Sequence, residues 1–136
     1  MTSRPTRPGL LQLLLLVVLV TPLALPWRGA TAADDDATLA AGLATLVAHA
    51  DAASAALSRG DAPAARAAYA QFDLGWEAIE DGVRDRSRND YRSIEDAMSD
   101  VDRILRNDPV DVAVASMLLG ELQTRVERFI ATLPTS

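Results

Sequence analysis

Residues 68–105, AYAQFDLGWEAIEDGVRDRSRNDYRSIEDAMSDVDRIL, decide the fold. Apolar side chains recur in this stretch every three or four residues, which is the spacing of one face of an α-helix. The polar residues 87–90, Ser-Arg-Asn-Asp, interrupt the pattern and predict a turn between two helices. The predicted buried positions are Tyr69, Phe72, Trp76, Ile79 and Val83 in the first of these helices and Tyr91, Ile94, Met98, Val101 and Leu105 in the second.

One more helix is predicted on each side of this stretch. The earlier one covers residues 36–58, capped by Asp36 and followed by Gly60. The later one begins at Asp108 with Pro109 in its first turn. The predicted N-cap of the helix that follows the turn at residues 87–90 is Asn89 or Asp90. The short connections predict an all-α, up-down-up-down four-helix bundle. The flanking core positions are Leu39, Leu43, Leu46, Ala50, Ala53 and Leu57, and then Val114, Leu118, Leu122, Val126, Phe129 and Leu133.

Residues 1–32 have the pattern of a secretory signal peptide. Two arginines precede the apolar run 10–20, and Ala30-Thr31-Ala32 offers the small residues of a cleavage site. The alternative is an uncleaved membrane anchor, but the apolar stretch 10–25 is shorter than the roughly 20 residues that a spanning helix prefers. We therefore expect a secreted or periplasmic domain at residues 33–136, with membrane attachment only through the leader if it is not cleaved.

Composition excludes several kinds of site. The chain has no Cys and one His, so disulfides, thiolate chemistry and multi-His metal sites are excluded. After the leader, the chain contains ten arginines and all 19 acidic residues, which gives a net charge of −9. This charge argues against nucleic-acid binding. No serine has a histidine partner at a predictable spacing, so we expect no enzyme. His49 with Met98 or Met117 would be the only haem ligands, and we expect no haem.

A short pattern occurs twice in the central stretch. Trp76 and Tyr91 each begin the sequence aromatic-x-x-Ile-Glu-Asp, which puts Glu80 and Glu95 at the edges of the two apolar faces. Folding the two helices back around residues 88–89 would bring these glutamates to nearly the same height, with an axial mismatch near 3 Å at about 1.5 Å per residue. Facing carboxylates suit a hard cation such as ferric iron. Further candidate oxygen ligands are Asp73, Glu77 and Asp102.

The same two glutamates have a purely structural alternative. Arg84 follows Glu80 by four residues, and Arg92 precedes Glu95 by three. Both spacings allow ion pairs along a helix, and such pairs are common without carrying a function. The sequence alone leaves both interpretations open.

The stretch 68–105 resembles the extracytoplasmic helical domain that precedes the membrane part of many bacterial high-affinity iron permeases. The matching elements are Tyr69 with Phe72, Trp76-x-x-Ile79-Glu80, Val83-Arg84, Ser87, and Tyr91-x-x-Ile94-Glu95-x-x-Met98. The resemblance implies a module of iron uptake that presents carboxylates to the cation or docks against a membrane permease. The sequence has no multi-spanning region and no Arg-Glu-x-x-Glu element, so we do not expect it to transport iron by itself. The alternative function is a structural or protein-interaction bundle that binds no metal.

Overall fold

The computed structural model describes residues 32–134, so the predicted leader lies outside the described residues except for Ala32. Within this range the chain consists of four α-helices and contains no strand. They are α1 (Ala32–Ser58), α2 (Ala62–Arg86), α3 (Arg88–Leu105) and α4 (Val112–Ile130). For residues 32–134, the prediction of an all-α fold with four helices is confirmed.

The helices form a closed ring around one core. α1 packs against α2 and α4, and α3 packs against the same two helices, while no close backbone approach joins the diagonal pairs within 32–134. No polar or charged side chain is buried among the described residues, so burial of apolar surface holds the ring together. All six predicted core positions of α1 are buried.

Four predicted core positions differ in the structure, and one of them is Val114, which is only partly buried while the neighbouring Ala115 is fully buried. Ile79 and Tyr91 are only partly buried, because each lies at the edge of its apolar face. In α4, Leu119 is fully buried and Leu118 lies at the core margin. The α4 prediction was off by one residue at this point because two leucines stand side by side, and only the rotation of the helix decides which one faces the core.

Glycine ends α1. Gly60 has a φ of +74°, a conformation that residues with a side chain rarely adopt. Its N–H donates to the Leu57 carbonyl and that of Asp61 to the Ala56 carbonyl, the paired hydrogen bonds of a Schellman motif. Asp61 then caps α2 by accepting from the Ala64 N–H at 3.0 Å.

A single residue, Ser87, joins α2 to α3. Its N–H donates to the Val83 carbonyl at the end of α2, and its side chain accepts from the Asp90 N–H at the start of α3. The prediction that Asn89 or Asp90 caps α3 was therefore wrong, because Ser87 already serves both helix ends.

The start of α4 also differs from the prediction. Asp111, and not Asp108, caps this helix by accepting from the Val114 N–H at 3.0 Å. Both aspartates are good capping residues, and the connection of residues 106–111 places Asp111 at the start of α4.

α1 begins four residues before the predicted Asp36, with Asp34 and Asp35 in its first turn. Negative charge is favourable there because it faces the positive end of the helix dipole. Asp36 accepts a hydrogen bond from Arg86 Nε at 2.7 Å, which ties the start of α1 to the end of α2. Within residues 32–134, α1 is the one helix whose length and composition would allow it to cross a membrane, and its leucines are buried in the bundle.

Three glycines bring α1 and α2 close together. A Cβ placed on Gly75 would lie 2.5 Å from Cδ2 of Leu46, and one on Gly82 would lie 3.3 Å from Cδ1 of Leu39. Gly42 in α1 lies under Ile79 of α2 in the same way, at 3.3 Å. Large side chains of each helix therefore fill spaces that glycine leaves on the other, which fixes how the two helices are aligned.

We predict that alanine has opposite effects at two helical glycines. Gly120→Ala should raise the free energy of unfolding by about 0.5–1 kcal/mol, because alanine favours the helix and its Cβ meets no atom within 4 Å. Gly75→Ala should lower it by about 1 kcal/mol, because the buried Leu46 has to move. Urea unfolding of both variants measures the difference. A Gly75→Ala protein as stable as Gly120→Ala would contradict this account of the α1–α2 contact.

Candidate functional site

Polar atoms of three large side chains join α2 to α3. The Trp76 indole donates to Oε1 of Glu95, and the Tyr69 hydroxyl donates to the Met98 carbonyl at 2.8 Å. Arg66 donates through Nε to the Leu105 carbonyl at 2.6 Å, near the end of α3. Residues progressively earlier in α2 therefore contact residues progressively later in α3, and these three contacts align the two helices.

An aromatic pair covers the end of this contact near Ser87. The rings of Trp76 and Tyr91 stack with centroids 6.0 Å apart and planes inclined by 18°. The Arg84 guanidinium carbon lies 5.7 Å from the centroid of the Tyr91 ring and adds a cation–π contact. These are the two aromatic residues of the repeated sequence pattern, so the repeat marks positions where α2 and α3 meet.

Three of the five predicted oxygen ligands line one groove between α2 and α3. We call this groove, of about 350 Å³, the carboxylate groove. It contains the side chains of Asp73, Glu95 and Asp102, together with Arg106. A smaller cavity of about 210 Å³ continues from it past Asp73 and Asp102 toward Arg66.

Two of these carboxylates have partners. Asp102 forms an ion pair with Arg106, one turn further along α3. Glu95 accepts the hydrogen bond from Trp76, and Asp73 is exposed. Within residues 32–134, no three acidic or histidine side chains are close enough together to hold a metal ion.

Glu77 and Glu80 lie away from the carboxylate groove. Glu77 is exposed and Glu80 is half-buried, and neither lines the groove. Glu95 contacts Trp76, and Glu80 lies four residues beyond Trp76, about 6 Å further along α2 at 1.5 Å per residue. Of the two glutamates in the repeated pattern, only Glu95 lines the groove.

The predicted ion pairs also differ. Arg84 pairs with Asp81, not with Glu80, and Glu95 takes the Trp76 indole in place of Arg92. Asp81 is three residues before Arg84, a helical spacing as good as the predicted one. The structural role of Glu95 is thus a hydrogen bond between helices.

Sequence reasoning missed Tyr69 and Arg106 as groove residues. Tyr69 was assigned to the core, where its ring is indeed buried, but its hydroxyl reaches the groove wall. Burial raises the pKa of the Tyr69 hydroxyl, and the negative charges of Asp73 and Glu95 raise it further, while Arg106 acts in the opposite direction. Arg106 could have been identified from the sequence, because it follows Asp102 by four residues, the spacing of an ion pair along a helix.

No protein-family model, no curated protein and no solved structure is significantly similar to this chain. The structure therefore defines its class by architecture alone: an all-α domain of four helices around an apolar core, with a groove of mixed charge between α2 and α3.

We predict that Tyr69 causes a loss of stability at alkaline pH. In the unfolded chain its hydroxyl ionises near pH 10.0, whereas in the folded chain the raised pKa keeps it protonated. The unfolded state then binds fewer protons above pH 10, so the free energy of unfolding falls by up to about 1.4 kcal/mol per pH unit. The chain has no Lys and no Cys, so few other groups titrate in this range.

Tyr69→Phe should abolish this alkaline loss and cost about 1 kcal/mol at pH 7 through the missing hydrogen bond to Met98. Tyr91→Phe, the control, should keep the loss. Urea unfolding between pH 8 and about pH 11 measures both. An unchanged alkaline loss in Tyr69→Phe would refute the assignment.

Proposed function

We propose that this chain is a non-enzymatic helical module of iron uptake that works outside the cytoplasm. In this proposal the carboxylate groove presents oxygen atoms to the iron cation, which is cargo. The observation that carries it is that Asp73, Glu95 and Asp102, from two different helices, line the same groove. Hard cations such as ferric iron prefer oxygen ligands of this kind.

The sequence resemblance supports the same proposal. Its repeated elements, around Trp76 and Tyr91, coincide with the stacked pair that joins α2 to α3 next to the groove. The extracytoplasmic location rests on the predicted signal peptide at residues 1–32, and a membrane permease is the proposed partner. The up-down-up-down order rests on contacts such as Asp36 with Arg86 and Arg66 with the Leu105 carbonyl, which pair the start of one helix with the end of the next.

Arg106 has a defined role in this proposal. It neutralises Asp102 when no cation is present, so a cation that uses Asp102 must displace the guanidinium. Replacing Arg106 by a neutral residue should therefore strengthen cation binding. The ion pair is exposed to solvent, so its loss should change stability by about 1 kcal/mol or less.

The test is calorimetric titration of the chain from Ala33 with ferrous iron without oxygen, and with citrate-buffered ferric iron against a blank of citrate alone. Trp76 is the only tryptophan in that chain and contacts Glu95, so its fluorescence is a second readout. We expect saturable binding that is lost in the triple variant Asp73→Asn, Glu95→Gln, Asp102→Asn and strengthened in Arg106→Gln.

A matched triple variant removes the same charge elsewhere. Asp81, Asp85 and Asp96 are exposed on the same two helices and do not line the carboxylate groove. Their replacement by Asn should leave iron binding unchanged. Equal losses in both triple variants would mean nonspecific attraction to a negative surface. The pair Glu77→Gln and Glu80→Gln tests the two predicted ligands that lie outside the groove.

The alternative function is a protein-interaction bundle that binds no metal. The observation in its favour is that Glu95 and Asp102 already have partners within the fold. It predicts no heat above dilution with ferrous iron, no heat above the citrate blank with ferric iron, and unchanged Trp76 fluorescence. That result would overturn the iron-binding proposal.

A further inference from the structure

A second groove runs along the other side of α3, between α3 and α4. Its volume of about 660 Å³ is in the range of small-molecule sites. Two arginines line it, Arg125 and Arg128, in a domain whose remaining charge is strongly negative. We call it the arginine groove.

Arg125 is held in a fixed position at this groove. Its Nη1 donates to the Ser93 carbonyl at 2.8 Å and to the Ser93 hydroxyl at 3.1 Å, which anchors the guanidinium to α3. The nearest carboxylate, Glu121, lies 3.9 Å from Nη2, beyond hydrogen-bond distance. A half-buried guanidinium that is oriented in this way keeps donors on Nε and Nη2 for another acceptor.

Arg128 and Gly120 complete the groove. Arg128 is exposed and lies three residues after Arg125 on α4, and its side chain makes no hydrogen bond or ion pair within residues 32–134. Gly120 leaves the floor open, because a Cβ there would meet no atom within 4 Å. Thr124 also lines the groove, and its hydroxyl donates to the Gly120 carbonyl at 2.8 Å.

We propose that the arginine groove binds a small oxyanion bearing carboxylate or phosphate groups. Guanidinium groups bind both kinds of group through paired charge-assisted hydrogen bonds, and one arginine that is already positioned loses little freedom on binding. Glu121 is the opposing charge in the groove. This anion site is separate from the carboxylate groove and does not depend on iron.

The experiment is calorimetric titration of the full 136-residue chain with citrate and, separately, with inorganic phosphate, in about 150 mM salt so that weak surface attraction is screened. We expect saturable one-to-one binding of at least one of the two. Binding of citrate alone assigns carboxylate chemistry to the groove, and binding of phosphate alone assigns phosphate chemistry.

Four variants test the location. Arg128→Gln should weaken binding about tenfold, since it removes a charged donor that has no role in the fold. Glu121→Gln should strengthen binding, and Gly120→Leu should prevent it by filling the floor. Arg103→Gln is the matched control, because Arg103 is paired with Asp100 on α3 and does not line this groove.

The proposal is overturned if neither anion binds, or if Arg103→Gln weakens binding as much as Arg128→Gln. The Asp73→Asn, Glu95→Gln, Asp102→Asn variant should bind the anion at least as well as the unaltered chain. A protein that binds the anion but not iron would refute the proposed iron module and leave the anion site standing. A protein that binds iron but neither anion would refute the anion site and leave the iron module standing.

Discussion

The close approach of α1 and α2 is the constraint on which the rest of the structure depends. Leucines of α1 lie against glycines of α2 seven residues apart, Leu46 on Gly75 and Leu39 on Gly82. Because a leucine fits over a glycine at only one height, this contact fixes both the spacing and the register of the two helices. It leaves the adjacent, aromatic face of α2 to the interior and to α3.

Alignment of α2 with α3 then decides which carboxylates line the same groove. Ser87 alone connects these helices, so the direction of α3 is set at once, but the hydrogen bonds of Trp76 and Tyr69 set its register. In the resulting register, Glu95 lines the carboxylate groove together with Tyr69 and Asp73 of α2, and Glu80 does not. The proposed cation site thus depends on the hydrogen bonds that Trp76 and Tyr69 donate to α3.

Charge is distributed unevenly around α3. On its α2 side, acidic residues outnumber arginines, and Arg106 offsets one of them. On its α4 side, Arg125 is anchored to the same helix through Ser93 and stands beside Arg128. Since no charged group is buried in the described domain, these surfaces are free to serve binding without a cost to the apolar core.

The sequence by itself determined the four helices, most of the buried positions and the two short turns, because apolar spacing, glycine and capping residues act over a few neighbouring residues. It also identified the carboxylates of α2 and α3 as candidates. Only the tertiary structure decided that Ser87 and Asp111 are the caps in use, that Leu119 faces the core, and that Asp73, Glu95 and Asp102 share a groove without Glu80. The reason is that helix rotation and register depend on the fit between helices, which local spacing does not encode.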